Sequence, residues 1–163
     1  MAEGLSIRAT SEADREWVAA FISEHWGAEI VVAHGVVYRP DRLAGVAAAD
    51  GSGVVGLATY SIEGDACELV TLDAVRRGEG IGTALLAAVA NAAGTAGCRR
   101  LWLITTNDNL DALAFYQKRG MRLVAVHRDA IARSRALKPS IPMVAPNGIP
   151  IRDELELEMR LGT

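Results

Sequence analysis

The chain has 163 residues, of which half are hydrophobic and 23% are charged, so it is long enough for one domain with a sizeable core. This composition excludes an intrinsically disordered chain, which lacks the apolar side chains needed for a core. The formal net charge of −3 disfavours general binding to nucleic acid, because neutralising phosphates requires concentrated Lys and Arg.

Neither cysteine, Cys67 or Cys98, lies in a Cys-x-x-Cys or mixed Cys/His pattern, and the sequence therefore predicts no metal site. The first residues lack the basic and then apolar segments of a signal peptide, and no apolar run is long enough to span a bilayer. We expect a cytoplasmic protein without membrane or nucleic-acid partners. The sequence leaves open whether it forms a homodimer.

Hydrophobic periodicity predicts a mixed α/β chain, with antiparallel hairpins first and a βαβ crossover in the middle. The predicted strands cover 5–10, 44–50, 54–64, 66–75, 99–106, 121–127 and 151–161, and the predicted helices cover 12–26, 82–96 and about 109–119. Segment 28–43, interrupted by Gly35 and Pro40, leaves a short strand and a short helix as alternatives. Segment 128–150 contains four prolines and is interpreted as a turn of helix followed by a structured loop.

A cluster of glycines, RRGEGIG (76–82), lies between the strand at 66–75 and the following helix. A glycine turn that leads into a helix N-terminus binds anions, because free backbone N–H groups and the helix dipole face the ligand. The Rossmann frame G-x-G-x-x-G/A fails at its third position, and the Gly-Lys-Ser/Thr ending of a P-loop is absent. A methyltransferase frame of G-x-G-x-G type does match Gly78, Gly80 and Gly82, although hairpin strands precede it.

Two motifs together carry a family resemblance. In a fourth frame of the glycine turn, Arg77-x-x-Gly80-x-Gly82 resembles the pyrophosphate loop of the GNAT acyltransferases. The segment NLDALAFYQKRGM (109–121) resembles the second signature of that family, Asn-x-x-Ala-x-x-Phe-Tyr-x-x-x-Gly followed by an apolar residue. The motifs lie in the family's order, one βα unit apart, and the match extends over about 54–127.

The resemblance implies a single GNAT-like domain over 1–163 with an α/β fold. That fold has a mixed central sheet of about six or seven strands, flanking helices and a V-shaped splay between the central strands. The implied activity is that of an N-acetyltransferase, which moves the acetyl group of acetyl-CoA to a primary amine by direct attack in a ternary complex. The amine would belong to a small molecule or a protein. An acyl-CoA-binding sensor or scaffold without catalysis is one alternative, and a methyltransferase is another.

The resemblance also implies which residues contact acetyl-CoA. The strand at 68–73 would pair through its backbone with the pantetheine arm around Val70 and Leu72, at a bulge that the sequence itself does not reveal. Asn109 would either cap the next helix or contact the pantetheine. Arg76, outside the motif, is interpreted as a solvated neighbour. The residues whose backbone amides would hold the pyrophosphate are Arg77, Gly78, Glu79, Gly80, Ile81, Gly82 and Thr83.

Two side chains are candidates for the chemistry. Tyr116 is the candidate acid, because a neutral phenol beside the sulfur can donate a proton to the departing CoA thiolate. Glu68 is the candidate base, which would take a proton from the attacking amine. By the period-2 alternation of a strand, Glu68 faces the same way as Val70 and Leu72. Asp73 faces the opposite way unless a bulge resets the register.

The acceptor is the least defined part of the prediction. In the family it is set by variable segments, which here are 26–43 and 128–152. The cations of the second segment would face an anionic acceptor, the CoA 3′-phosphate or solvent, and these alternatives stay open. They include Arg128, Arg133, Arg135 and Lys138. Phe115, next to the candidate acid, is expected in the core.

Overall fold

A computed structural model describes residues 4–162 of the chain. The chain divides into two compact units. Unit 1 comprises Met1–Val31, Arg39–Leu101 and Arg160–Thr163, and unit 2 comprises Val32–Tyr38 and Trp102–Met159. The single domain over 1–163 stays a prediction, and residues 1–3 and 163 of it lie outside the described residues.

The predicted elements are present to within a few residues of their expected bounds. The strands are β1 Ser6–Ala9, β2 Val31–Ala33, β3 Val36–Tyr38, β4 Ala44–Asp50, β5 Gly53–Glu63, β6 Ala66–Ala74, β7 Arg100–Thr106, β8 Arg122–His127 and β9 Glu154–Arg160. The helices are α1 Arg15–Trp26, α2 Ile81–Thr95, α3 Leu110–Lys118 and α4 Ile131–Leu137, with short 3-10 turns at Glu12–Asp14 and Pro40–Arg42. Between residues 4 and 162, no helix is long and apolar enough to cross a membrane.

Seven strands form one mixed sheet in the order β1-β4-β5-β6-β7-β9-β8, so the prediction of six or seven strands with flanking helices is confirmed. The strands β1, β4, β5 and β6 pair in succession as antiparallel neighbours. The last strand of the chain, β9, lies between β7 and β8, and it pairs antiparallel with β8. The splay between the central strands stays a prediction.

The ambiguous segment 28–43 forms a small hairpin. Strands β2 and β3 pair with each other in a separate two-stranded sheet, and the 3-10 turn at Pro40–Arg42 follows. Of the two alternatives that the sequence left open, the strand is therefore correct.

Unit 1 has an apolar core on each face of its strands. On one face, α1 packs against β5 through a cluster of buried side chains: Val18, Phe21, Ile22, Val31 and Leu57. On the other face lies α2. It can approach β5 closely because Gly56 has no side chain. A Cβ atom at Gly56 would lie 2.7 Å from Cγ2 of Ile81 and 2.9 Å from Cδ1 of Leu85. This contact fixes the first turn of α2 against β5.

The long loop of unit 2 is held by side chains that bond its backbone. Asn107, after β7, donates from Nδ2 to the carbonyl oxygen of Pro150 at 2.9 Å, and its Oδ1 accepts the N–H groups of Arg152 and Asp153 at 3.0 Å each. Beneath the loop lies a small buried cluster of Ile131, Ala145 and Ile151. The prediction of a structured loop is therefore confirmed.

Candidate functional site

The turn between β6 and α2 has the backbone of an anion-binding loop. Gly78 and Gly80 both have φ of 77°, a left-handed conformation that costs a residue with a Cβ atom ~1–2 kcal/mol. Gly80 is the N-cap of α2 and has no side chain to bond the first amides of that helix. Those amides therefore face outward at the positive end of the helix dipole, as an anion site requires.

Arg76, interpreted from sequence as a solvated neighbour, is instead an anchor of this turn. Its guanidinium donates from Nε to Glu79 at 2.7 Å and from Nη2 to Asp50, which lies at the end of β4. These bonds join the glycine turn to the β4–β5 hairpin. Hydrogen bonds from Ser52 and Arg76 lower the pKa of Asp50 to about 2. Glu79 thus uses its side chain within the turn, and only its backbone amide is a candidate for a pyrophosphate.

Strand β6 contains the bulge that the family resemblance implied. Thr59 of β5 lies opposite Thr71, and the next residue, Tyr60, lies opposite Leu69, so Val70 is an extra residue in the ladder. The hydroxyl oxygens of Thr59 and Thr71 are 2.6 Å apart, and both residues are buried. This buried hydrogen bond fixes the register beside the bulge. A bulge leaves backbone groups out of the ladder, where a ligand can use them.

The bulge corrects the predicted faces of the strand. Ser61 pairs with Glu68, and Leu57 pairs with Asp73. Because Ser61 and Leu57 are an even number of residues apart on β5, Glu68 and Asp73 share one face. The bulge thus resets the register at Asp73, which was the stated exception to its facing away from Glu68, and the expectation that Leu72 faces with Glu68 is wrong. Leu72 pairs with Ala58 and lies on the opposite face.

The two carboxylates on this face differ in their surroundings. Glu68 is buried, with 5% of its surface exposed. Asp73 accepts a hydrogen bond of 2.7 Å from the indole Nε1–H of Trp26, the last residue of α1. Burial raises the pKa of Asp73, against the opposing effects of Trp26 and of nearby His25. Unit 1 thus brings two carboxyl groups to one face of the strand that ends in the glycine turn.

The second motif forms α3 in unit 2. Asn109 is its N-cap, and the side-chain Oδ1 accepts the N–H of Ala112 at 3.2 Å. Of its two sequence interpretations, the helix cap is therefore observed, and a contact with pantetheine would use Nδ2. Tyr116 lies seven residues later, on the same face of the helix by the 3.6-residue period. The two motif residues are thus aligned along α3.

Of the two adjacent aromatic residues of α3, Tyr116 is more buried than Phe115. Tyr116 is the buried member of the pair, with 9% of its surface exposed, and its ring meets that of Phe115 edge to face at 5.2 Å. Phe115 is only half-buried, and the guanidinium of Arg119 lies 3.8 Å from its ring centroid. The prediction that Phe115 belongs to the core is therefore wrong.

One of the tail cations, Arg135, has a structural role. The Arg135 guanidinium donates to the carbonyl oxygens of Ile141, Pro142 and Ile151 at 2.8 to 3.1 Å, so it holds the loop. Burial lowers the pKa of Lys138.

Among the described residues, no group of three or more His, Cys, Asp or Glu could hold a metal ion. Sequence reasoning missed the roles of Arg135, Asn107 and Arg76, since each bonds residues that only the folded chain brings near.

Comparison with known proteins identifies the family of the chain. The model of the acetyltransferase (GNAT) family matches residues 9–121. The uncharacterized protein YdhI of Bacillus subtilis (strain 168) is 46% identical over 146 residues, which cover 89% of this chain and 91% of that protein.

Solved structures of acetyltransferases share the fold. An IAA acetyltransferase from Bacillus cereus ATCC 14579 has a TM-score of 0.73 at 23% identity, covering 96% of this chain and 99% of its own. A Bacillus subtilis acetyltransferase in complex with CoA has a TM-score of 0.70 at 19% identity, covering 97% and 99%. The family match spans more than half of the chain and decides against the methyltransferase alternative. The chain therefore belongs to the GNAT family of acetyltransferases.

Proposed function

We propose that the protein transfers the acetyl group of acetyl-CoA to a primary amine by direct attack in a ternary complex. The observation that carries this proposal is the left-handed backbone at Gly78 and Gly80, which leads into the uncapped first turn of α2. A pyrophosphate fits such a turn because its charge meets backbone N–H groups and a helix dipole. The CoA bound to the Bacillus subtilis acetyltransferase of the same fold supports acetyl-CoA as the donor.

The donor would be held almost entirely by backbone. The amides of the turn, from Arg77 through Glu79 and Ile81 to Thr83, would bind the pyrophosphate, and Gly82 would allow its close approach. The groups left unpaired by the bulge at Val70, with the backbone of Leu72, would pair with the pantetheine amides. Asn109 would add a side-chain contact through Nδ2. Backbone binding leaves the side chains of β6 available for the acceptor and the chemistry.

The chemistry forms a C–N bond and breaks the C–S bond of the thioester. The attacking amine must be neutral, and because amines such as Lys titrate near ~10.4 a base is required; Glu68 would take that proton. A backbone N–H of β6 would stabilise the negative charge on the thioester oxygen. Tyr116 would protonate the departing thiolate, since a phenol with a pKa near ~10 is neutral at pH 7 and remains a donor.

A screen with acetyl-CoA and a broad panel of primary amines tests this function, with thiol release as the readout and mass spectrometry to identify an N-acetyl product. We expect thiol release that depends on the amine. Stabilisation by CoA without acetylation of any amine would favour the sensor or scaffold instead. A homodimer stays a prediction, which light scattering in solution would decide.

A further inference from the structure

Unit 2 contains a buried carboxylate that the proposed chemistry does not use. Glu154 is the first residue of β9 and has only 2% of its surface exposed. Its Oε2 accepts a hydrogen bond of 3.0 Å from the backbone N–H of His34. His34 lies at the tip of the β2–β3 hairpin with φ of 43°. The hairpin thus presents this residue to the carboxylate across 120 residues of sequence.

The His34 side chain belongs to a cluster of aromatic rings. The His34 ring centroid is 5.2 Å from that of Trp102 on β7 and 5.9 Å from that of Tyr38 on β3. The Tyr38 hydroxyl and Nε2 of His34 are 3.2 Å apart. The carboxylate therefore bonds the backbone of the residue whose ring belongs to this aromatic cluster. A bound ammonium group gains an ion pair from a carboxylate and cation–π attraction from aromatic faces.

Glu154 has no ion-pair partner among residues 4–162. In the part of the chain that the structure describes, no Lys, Arg or His side chain forms an ion pair with it. Arg133, whose Cδ would lie 3.1 Å from a Cβ atom at Gly35 next to His34, is exposed. An ionised carboxylate is costly to bury without a counter-charge, and a cationic ligand at this position would supply one.

We propose that Glu154, with the rings of His34, Tyr38 and Trp102, binds an ammonium group of the acceptor other than the amine that attacks the thioester. This inference rests on the proposed function, because it assigns that reaction's acceptor to a site. It names a cationic aliphatic amine as the substrate class. Glu154 is a specificity-determining residue in this assignment, and Glu68 keeps the role of base.

A titration that needs no acetyl-CoA tests the site. Protein labelled with 15N is titrated with 1,4-diaminobutane and, in parallel, with 1,4-butanediol, which has the same length and no charge. The indole N–H resonances of the three tryptophans report the binding, with Trp102 assigned by Trp102→Phe. We expect the diamine to shift the Trp102 resonance and the diol to leave it in place. Trp17, whose indole bonds Asp14, is an internal control that should not move.

Two variants locate the charge that binds. Glu154→Gln should weaken the diamine affinity at least about tenfold, because a charge-assisted hydrogen bond is lost. Glu156→Gln removes a carboxylate two residues along the same strand, one that pairs with His127, and should leave the affinity unchanged. If Glu154→Gln does not fold, the diamine and diol titrations of the natural protein alone decide whether a cationic amine binds at this site.

An unmoved Trp102 resonance, an equal response to the diol, or full diamine affinity in Glu154→Gln would each overturn the inference. Thiol release with the amine panel is scored separately. Catalysis of amine acetylation with no Glu154-dependent binding would refute this site and leave the proposed function standing. Glu154-dependent diamine binding without any acetylation would support this site and refute the proposed function.

Discussion

The indole Nε1–H of Trp26 donates a hydrogen bond of 2.7 Å to Oδ2 of Asp73, across 47 residues of sequence. The bond ties the end of α1 to β6 beyond the bulge. Burial of Asp73 is the largest influence on its pKa and raises it, while Trp26 and His25 oppose the rise. The ionised carboxylate is therefore less favourable in the folded state than in the unfolded chain.

Asp73→Asn should raise the free energy of unfolding at pH 7. A folded pKa above the unfolded value of ~3.9 means that the folded state binds the proton more tightly. The natural protein therefore loses stability as the pH rises from about 4 through the folded pKa, whereas an asparagine at this position has no proton to lose and can still accept from Trp26. Thermal unfolding at pH 7 and pH 4 measures the difference, which should shrink at pH 4.

Asp50→Asn is the matched control for Asp73→Asn. We expect it to lower the free energy of unfolding at pH 7, whereas Asp73→Asn should raise it. Hydrogen bonds hold the pKa of Asp50 at about 2, so its stabilising effect is present above ~3.9 and is lost as the pH falls toward about 2. A lower unfolding temperature for Asp73→Asn than for the natural protein at pH 7 would contradict the account of Asp73.

Much of this fold could be predicted because its signals are local. The sequence DGSG between two apolar runs predicts the β4–β5 hairpin, and the glycines of the turn predict its left-handed backbone. The family resemblance implied a bulge, but its position could not be predicted, since nothing in the alternation of ELVTLD marks Val70 as the extra residue. The face of Asp73 depends on that one residue.

The site was predictable to the same extent. Asn109 and Tyr116 follow from spacing on one helix, whose period is fixed by its own hydrogen bonds. The role of Arg76 depends on Asp50, 26 residues away, and the surroundings of Glu154 depend on a hairpin 120 residues away. Such contacts are set by the packing of the whole chain, and a single sequence carries no local signal for them.

The two adjacent arginines of the turn should separate by function. Arg76→Gln removes the bonds to Asp50 and Glu79, so we expect a lower unfolding temperature and a modest loss of CoA affinity through a loosened turn. Arg77→Gln should lower CoA affinity by about tenfold, the scale of one charge-assisted contact, and change the unfolding temperature little. Thermal unfolding and calorimetric titration with CoA measure both. A large affinity loss in Arg76→Gln and a stability loss in Arg77→Gln would show that the assignment of Arg77 to the cofactor site is wrong.

Gly80→Asp should abolish CoA binding, because the new carboxylate would occupy the place of the pyrophosphate and repel it. Gly97→Asp is the matched control: Gly97 has φ of 90° just beyond the other end of α2, and a Cβ atom added there would have no neighbour within 4 Å. Both variants should lose ~1–2 kcal/mol of stability from the left-handed conformation. Only Gly80→Asp should lose CoA affinity in calorimetric titration, and equal losses would remove the turn from the cofactor site.

Glu68→Gln should lower the rate of acetyl transfer by about a hundredfold at pH 7, the lower range for a general base. Raising the pH toward ~10 should restore much of the rate, because the amine then loses its proton without help. Asp73→Asn removes the other carboxylate on the same face. Comparing the two variants shows whether Glu68 or Asp73 is the base. If the pH-dependent defect appears in Asp73→Asn and is absent from Glu68→Gln, the base is Asp73.

Tyr116→Phe should reduce kcat at least about tenfold and leave the CoA affinity nearly unchanged, because the hydroxyl acts on a thiolate that exists only late in the reaction. Tyr60→Phe removes a hydroxyl from β5, outside the proposed machinery, and is the matched control. Steady-state rates over a series of acyl donors are the measurement: the defect should diminish for a thioester whose leaving thiol is more acidic, since that thiolate departs without a proton. An equal defect for all donors would mean that the hydroxyl only supports the packing of α3.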